Sequence, residues 1–510
     1  MIAKHLKHSI ALALSLGTAV ADPSPSALAP FDSTVESLQR YQCPEWFRDA
    51  KFGIWSHWGP QCVPEEGDWY ARNLYIEGNR QAEAHRAKYG HPSKFGYKDI
   101  IALWKAEHFE PERLMALYRK AGAKYFVSMG VHHDNFDLWN SRSHRWNAVN
   151  MGPHKDIVGL WAAAARKEGL RFGVSEHLER SYSWFNTNKG ADKNGPLAGV
   201  PYDGNDPQFA DFYFSPHDDN SRNYPANPPV WWPLEWSDRI TDLIDSYHPD
   251  LLYTDGGIPF GEVGRSLAAH FYNQNMAAHG GRLEAVYNIK DFRGRDQEHG
   301  EYHDGIAVQD LERGILLGIK PEPWQTDTSV ADWFYRKGYK YKTATEIIHL
   351  LADIVSKNGN LLLNFTQHPD GTLDHESEVI LAELADWTPV NGEAIFGTRP
   401  WVKFGEGPNI GNTKERFNEG SAVRDSRDIR FTTKGDVIYA IILGWPGDGA
   451  SYTVSSFTPE ALPKGIARVN LLGTPGDLEW SQDAAGLHVT FPAHTLCKHA
   501  FALKISPKLL

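Results

Sequence analysis

The stretch Leu251-Leu-Tyr-Thr-Asp255-Gly-Gly257 places a short apolar run directly before a carboxylate and two glycines. An apolar run of this length, bounded by turn residues, predicts a buried strand over residues 251–254. Asp255 then stands where the strand ends, and the glycines let the backbone turn without crowding a ligand. The pattern indicates a strand that carries a carboxylate to a site. A turn-forming Asp-Gly-Gly without chemistry is the alternative.

Other apolar runs earlier in the chain end in the same way. The predicted strands 51–57, 124–131 and 171–175 end in ionisable side chains, namely His57, His132 with His133, and Glu176 with His177. A single buried histidine is usually only a hydrogen-bonded core residue. Ionisable groups at the ends of four separate strands are harder to explain by packing alone.

Helical patterns alternate with these runs and with further candidate strands over 284–289, 306–309 and 361–365. The clearest helix covers 343–357 and begins with a capping box of Thr343 and Glu346. Apolar strands that alternate with helices predict a parallel sheet with both faces covered. Since reacting groups gather at the carboxyl ends of barrel strands, we predict an α/β fold with a (β/α)8-like, TIM-type barrel. A doubly wound sheet is disfavoured because no Gly-rich phosphate loop follows a strand.

The pattern changes near residue 394, where short strands are separated by Gly, Pro and Asp turns. This predicts a C-terminal all-β sandwich.

The predicted organisation is a signal peptide over 1–21, a linker over 22–31, the barrel over 32–393 and the sandwich over 394–510. In the first segment, basic residues precede an apolar run that ends at Ala19-Val-Ala21, which is typical of a secretory signal. We therefore expect a secreted, extracellular protein.

Composition narrows the classes of partner. The chain has 52 Lys and Arg against 64 Asp and Glu, a net charge of −12, which argues against nucleic acid or an anionic membrane as the main partner. Three cysteines without a Cys-x-x-Cys pair exclude a zinc finger or an iron–sulfur site, and Cys43 and Cys62 are the candidates for one disulfide. Eighteen tryptophans suggest stacking on sugar rings, although tryptophan also packs cores.

Carbohydrate hydrolysis would need a pair of carboxyl groups, one ionised and one protonated. Asp255 suits the ionised role because it follows a buried strand. Candidates for the protonated partner come later in the chain: Glu298, Glu301, Glu312 and Glu322.

Several motifs resemble the retaining α-L-fucosidases of glycoside hydrolase family 29, from about Phe52 to Gly371. The segments that carry the resemblance are Lys51-Phe-Gly-Ile-Trp-Ser-His-Trp-Gly59, Gly67-Asp-Trp-Tyr70, His132-His-Asp-Asn-Phe136, the Asp255 strand, Trp324-Gln-Thr-Asp-Thr-Ser329 and Ile354–Asn364. The resemblance implies a barrel followed by a β-sandwich, and a fucosylated oligosaccharide or polysaccharide as substrate. It makes Asp255 the nucleophile. No metal and no cofactor are expected, because the sequence has no Cys cluster and no His-x-His pair to support a metal site.

The chain departs from this family at informative positions. Asp68 stands where many members have Glu, Asn135 where many have Gly, and Lys290 where many have Arg. Gln325 stands where several members have a Glu that serves as acid and base, and an amide cannot carry that proton. Asp310-Leu-Glu312-Arg-Gly resembles a segment in another branch, so Glu312 is the first choice for the acid and Glu301 the alternative.

The predicted site therefore has two catalytic carboxylates, Asp255 and Glu312. The predicted substrate-binding residues are His57, Asp68, Trp69, His132, His133, Glu176, His177, Lys290 and Trp324. Two other functions remain open. One is a metal-dependent barrel hydrolase that uses the histidines and Asp255 as ligands. The other is a catalytically impaired fucose-binding protein, which the Gln325 substitution would permit.

Overall fold

The computed structural model describes residues 29–293, 299–410, 419, 423–495 and 497–508. Its first unit is a closed parallel barrel in which neighbouring strands follow chain order and β8 pairs with β1. The strands are β1 Phe52–Ser56, β2 Tyr125–Val131, β3 Arg171–Glu176, β4 Leu251–Thr254, β5 Val286–Lys290, β6 Val308–Asp310, β7 Trp324–Ser329 and β8 Gly359–Asn364. The predicted barrel is confirmed.

Helices cover the outside of the barrel and its loops. Their bounds are α1 Val35–Leu38, α2 Glu45–Ala50, α3 Tyr70–Asn73, α4 Arg80–Tyr89, α5 Tyr97–Leu103, α6 Pro111–Lys120, α7 Ile157–Lys167, α8 Ser181–Trp184, α9 Ala210–Tyr213, α10 Trp231–Tyr247, α11 Glu262–Ala278, α12 Ala344–Ser356 and α13 His375–Asn391. Helix α12 begins at the predicted capping box, in which the Thr343 hydroxyl accepts the backbone N–H of Glu346. None of the helices described is long and apolar enough to cross a membrane.

Strand β7 was not among the predicted strands. Five of its six residues are polar, from Gln325 to Ser329, yet all six are buried inside the barrel wall. An apolar run is the usual signal of a buried strand, and β7 lacks that signal because its side chains hydrogen-bond inside the barrel. Its ladder to β8 extends over the whole strand, from Trp324 to Ser329.

The C-terminal unit contains two antiparallel sheets that share an apolar core, which confirms the predicted sandwich. Its strands are β9 Arg399–Glu406, β10 Ile429–Lys434, β11 Val437–Ile442, β12 Ser451–Val454, β13 Ile466–Leu471, β14 Trp480–Asp483, β15 Gly486–Thr490 and β16 Phe501–Pro507. One sheet has the order β13-β16-β11-β10-β9 and the other β12-β15-β14.

The candidate disulfide does not form, because all three cysteines are free thiols. Cys43 precedes α2 and β1, whereas Cys62 lies in the turn that follows β1. The two sulfurs are therefore at opposite ends of a barrel strand.

The predicted signal peptide, and residues 22–28 of the predicted linker, lie outside the described residues.

A buried ion cluster joins the barrel to the sandwich. Asp353 of α12 accepts hydrogen bonds from Arg430 of β10 at 2.5 Å and from Lys357 at 2.7 Å, and Arg424 is 3.8 Å away. Burial alone would raise the pKa of the Asp353 carboxyl, but the three cations hold it well below its usual range. The carboxylate is thus ionised and neutralised on the boundary between the two units.

We expect Asp353→Asn to lower the free energy of unfolding by about 3–5 kcal/mol, since it leaves buried cations without their counter-charge. Because the folded-state pKa is depressed, this stabilisation is present above the unfolded pKa of about 3.9 and is lost as the pH falls below it. Urea unfolding at pH 7 and at pH 3 measures both effects. Asp436→Asn is the control, since Asp436 pairs with Lys464 on the exposed surface. Equal effects of the two substitutions would contradict the assignment.

Candidate active site

A cavity of about 200 Å³ lies among side chains at and just beyond the carboxyl ends of the barrel strands. Its lining is rich in aromatic and ionisable groups: Trp55, His57, Asp68, Trp69, His132, His133, His177, Arg180, Asn223, Tyr253, Asp255, Lys290, Phe292, His299, Glu312, Asp327 and Trp333. All the predicted site residues except Glu176 and Trp324 are in this set. The barrel geometry therefore gathers side chains that are far apart in sequence.

Lys290 connects the two predicted catalytic carboxylates. Its ammonium group, at the end of β5, donates to Asp255 Oδ1 at 2.6 Å and to Glu312 Oε2 at 2.8 Å. These two oxygens are therefore at most about 5.4 Å apart, which is less than the ~6.5–9.5 Å separation of the carboxyl groups in inverting glycosidases. Both carboxylates keep some exposure to the cavity, 15% for Asp255 and 26% for Glu312.

Two cations control the charge of Asp255. Lys290 bonds one carboxylate oxygen, and Arg180 lies 3.1 Å from the other. Burial alone would raise the pKa of Asp255, but Arg180 and Lys290 outweigh it and hold this pKa well below its usual range. Burial alone would lower the pKa of Lys290. Asp255 and Glu312 outweigh this effect and raise the pKa well above its usual value. Asp255 is thus an ionised carboxylate, and Lys290 carries its positive charge.

The histidines form one wall of the cavity. The backbone N–H of His57 donates to Asn364 Oδ1 at 2.8 Å, which ties the end of β1 to the end of β8. Both ring nitrogens of His57 are buried without a hydrogen-bond partner in the described part of the chain. Burial lowers the pKa of His57 and His132 well below 6.5 and that of His133 to about 3. Neutral imidazoles facing an empty space can bind hydroxyl groups.

The substrate-binding role predicted for Glu176 and Trp324 needs correction. Glu176 accepts from Thr254 at 2.6 Å, from Trp236 at 3.0 Å and from the backbone of Leu178 at 3.1 Å, so its oxygens serve the surrounding structure. Trp324 is the first residue of β7, at the opposite end of the barrel, and its indole donates to the backbone of Lys357. Neither side chain lines the cavity.

Of the candidate acids that the structure describes, only Glu312 lines the cavity. Glu301 binds Arg265 of α11 through both oxygens, at 2.8 and 2.6 Å, and does not line the cavity. Glu322 precedes β7 and lines a separate groove, whereas Glu298 lies outside the described residues. Gln325 is fully buried and hydrogen-bonds Asp310 and Tyr125 inside the barrel. Among the described candidates, Glu312 alone is placed to face a substrate.

Sequence reasoning missed Arg180 and Asp327, which both line the cavity. Arg180 lies three residues after His177 in a 3₁₀ turn, and Asp327 lies in the polar strand β7. The order of residues around His177 gave no signal for Arg180. Asp327 belongs to Trp324–Ser329, one of the segments that carry the family resemblance. Its membership of that segment was the signal that the sequence offered.

The substitution at Asn135 has a backbone explanation. Its φ is 61°, a left-handed conformation that glycine adopts freely and that asparagine tolerates better than most residues. Asn135 also accepts a hydrogen bond from buried Arg239 at 2.7 Å. Asn therefore replaces Gly here without disturbing the loop that carries His132 and His133.

The long segment over 186–233, called the insertion below, contributes to the rim of the cavity. Asn223 lines the cavity directly, and the guanidinium of the exposed Arg222 lies 5.1 Å from the centre of the Trp69 ring. Tyr224 anchors this loop by donating to the backbone of Gly257 at 2.7 Å. The insertion thus reaches the mouth of the cavity above the strand that carries Asp255.

Among the residues that the structure describes, two groups of cavity side chains have potential metal-ligand atoms within 4.8 Å of one another. The first is His132, His133 and His177, and the second is His57, Asp68 and His132. Buried neutral imidazoles are suitable ligands for zinc or copper. The expectation that the protein needs no metal stays a prediction.

Comparison with known proteins identifies the family. A model described as "Alpha-L-fucosidase" matches residues 18–393, and one for the "Alpha-L-fucosidase C-terminal domain" matches residues 424–506. The chain belongs to the alpha-L-fucosidase family. It is therefore a glycoside hydrolase with alpha-L-fucosidase activity, built on a barrel and a C-terminal β domain.

The relatives of this fucosidase match it over nearly their whole length. Mouse tissue alpha-L-fucosidase is 30% identical over 481 residues, which cover 91% of this chain and 92% of the relative. Human plasma alpha-L-fucosidase is 30% identical, with 93% and 92% covered. The crystal structure of Thermotoga maritima alpha-fucosidase with a mechanism-based inhibitor superposes with a TM-score of 0.72 at 26% identity, covering 93% of this chain and 99% of that one.

We expect the ring protons of His57, His132 and His133 not to titrate between pH 5 and 8 in the free fucosidase. The physical reason is that burial disfavours the charged imidazolium and lowers the pKa of all three below this interval. An NMR titration of histidine-labelled protein measures this, with single His→Asn variants for assignment. A midpoint near 6.5 for any of the three would contradict the expectation.

Proposed function

We propose that the protein is a secreted, retaining alpha-L-fucosidase that removes terminal α-L-fucose from oligosaccharides or polysaccharides by double displacement. The observation that carries the proposal is the bridge from Lys290 to Asp255 and Glu312. It keeps the two oxygens close enough for one carboxylate to attack the anomeric carbon while the other protonates the leaving oxygen. An inverting mechanism would need a wider gap, of about 6.5–9.5 Å, to admit a water molecule.

In the first step, Asp255 attacks the anomeric carbon and the bond to the leaving oxygen breaks. Glu312 gives its proton to that oxygen, so the departing sugar leaves as a neutral alcohol. Asp255 enters this step ionised because Arg180 and Lys290 stabilise its charge. The product is a fucosyl ester of Asp255 and a Glu312 carboxylate.

In the second step, water attacks the anomeric carbon and Glu312 takes its proton. The ester bond to Asp255 breaks, which releases fucose and restores both carboxyl groups. Lys290 contacts both carboxylates, so a positive charge stays beside whichever one is ionised during the cycle. Two successive inversions at the anomeric carbon retain its configuration.

The cavity offers groups suited to a 6-deoxy sugar. Neutral His57, His132 and His133, together with Asp68, can hold the ring hydroxyls. The C6 methyl of fucose needs an apolar wall, which the tryptophans and Tyr253 in the lining can supply. We infer that the leaving sugar contacts the insertion through Asn223 and Arg222, which stand at the rim.

Secretion rests on the signal-like sequence of residues 1–21 alone. The metal-dependent alternative is favoured if activity is lost in EDTA and restored by zinc, since the histidine groups have the spacing for a metal. An impaired fucose-binding protein would not turn over an aryl fucoside. The position of Glu312 in the cavity argues against that alternative.

We expect Asp255→Ala to reduce turnover of a nitrophenyl α-L-fucoside by at least about 1,000-fold while the protein still folds. Azide should restore part of the activity and give a β-fucosyl azide, because a small anion can enter the vacated space and attack from the same face. Product NMR and a thermal melt measure the two outcomes. Near-wild-type turnover, or an α-configured azide, would remove Asp255 from the role of nucleophile.

We expect Glu312→Gln to reduce the hydrolysis of fucosylated oligosaccharides by about 100-fold or more, since their leaving groups need a proton. Nitrophenyl fucosides should keep a fast first step, because nitrophenolate departs unprotonated. Slow hydrolysis of the ester should then give a burst, which stopped-flow absorbance records.

Glu301→Gln is the matched control, because Glu301 pairs with Arg265 outside the cavity. It should show neither the leaving-group dependence nor the burst. If Glu301→Gln shows both and Glu312→Gln shows neither, Glu301 is the acid and the proposed assignment is wrong.

A further inference from the structure

A pair of buried aspartates lies next to the lysine that joins the catalytic carboxylates. Asp310 ends β6 and is fully buried, and Asp327 lies in the neighbouring strand β7 with 1% exposure. Asp327 Oδ2 is 4.0 Å from Lys290 Nζ. The mechanism proposed above assigns neither aspartate a role.

Each aspartate has one oxygen with a conventional donor. Gln325 donates to Asp310 Oδ1 at 2.9 Å, and the Tyr253 hydroxyl donates to Asp327 Oδ2 at 2.9 Å. The other two oxygens, Asp310 Oδ2 and Asp327 Oδ1, are buried without such a donor among the described residues. The two carboxyl groups lie on neighbouring strands of the barrel, and each acts on the pKa of the other.

A hydrogen bond between two carboxyl groups needs a proton on one of them. Two ionised carboxylates in contact would repel each other, and burial would make that repulsion costly. Burial raises the pKa of Asp310 well above its usual range, and Asp327 raises it further. Burial also raises the pKa of Asp327, but Lys290 opposes the rise. Lys290 Nζ lies 4.0 Å from Asp327 Oδ2 and stabilises its negative charge, so the proton belongs on Asp310.

We propose that Asp327 is a positioning residue that acts through Lys290. Neutral Asp310 donates its proton to Asp327, and the negative charge of Asp327 holds the Lys290 ammonium where it bonds both Asp255 and Glu312. The two aspartates thus set the position of the Lys290 ammonium and the net charge around it. This inference rests on the proposed function only for the catalytic roles of Asp255 and Glu312.

The charged and polar groups around the two aspartates determine which way the pH profile should move. Lys290 and the Tyr253 hydroxyl lower the pKa of Asp327, whereas Glu312 raises it. Lys290 and Gln325 lower the pKa of Asp310. Removing the charge of Asp327 leaves the attraction of Lys290 for Glu312 uncompensated. We therefore expect the alkaline limb of kcat/KM to move to lower pH.

The experiment compares two isosteric variants. Asp327→Asn removes the charge, so we expect the alkaline limb to fall by about one pH unit and kcat to fall about tenfold with KM little changed. Asp310→Asn keeps a neutral group that accepts from Gln325 and donates to Asp327. We expect it to stay within about threefold of wild type, with an unchanged alkaline limb.

A second measurement does not depend on catalysis. The infrared difference spectrum of wild type minus Asp310→Asn at pH 7 should contain the carbonyl band of a protonated carboxylic acid. Its absence would overturn the shared proton, and this reading holds even if Asp327→Asn fails to fold.

Two kinetic outcomes would also overturn the inference. If Asp310→Asn moves the alkaline limb and Asp327→Asn does not, the charge is on Asp310. If neither variant changes kcat or the limb, the pair does not position Lys290. The proposed function is judged separately, by the leaving-group dependence of Glu312→Gln.

Discussion

Two hydrogen bonds from one ammonium group hold the catalytic centre together. Asp255 and Glu312 come from different loops, and each is ionised at a different stage of the proposed cycle in a partly dry cavity. Lys290 bonds both, so it offsets the charge of whichever one is ionised and limits their separation at the same time. Arg180 adds a second cation on the far oxygen of Asp255. The reacting geometry thus depends on a charge that is itself almost completely buried.

The barrel explains how such a cluster is built from distant parts of the chain. His57, Lys290 and Asp255 follow or end three different strands, and closing the sheet brings those strand ends to one rim. Asn364 at the end of β8 then fixes the backbone of His57 across the closure of the barrel. Rigid strands position the reacting groups, and the insertion over 186–233 supplies the variable rim.

The sequence predicted the parts of this arrangement that leave an apolar or positional signal. Apolar runs marked the strands before His57, His132 and Asp255, and those residues reached the cavity. Strand β7 was missed because its buried residues satisfy one another by hydrogen bonds, so no hydrophobic pattern marks it. Hydrogen bonds also explain why Glu176, predicted to bind substrate, does not line the cavity. A residue at a strand end can point its side chain into the surrounding structure, and hydrogen bonds from Thr254 and Trp236 hold the Glu176 carboxylate there.

The cluster around Asp353 links the C-terminal unit to the catalytic rim. Arg430 of the sandwich neutralises a carboxylate of α12, and α12 leads directly into β8, which ends at Asn364. Exchanging the sandwich for one that lacks the arginine at this position would leave Asp353 of this helix buried with no guanidinium to offset its charge. The two units are therefore poor modules for independent exchange. A chimaeric enzyme would have to inherit α12 and β10 from the same parent.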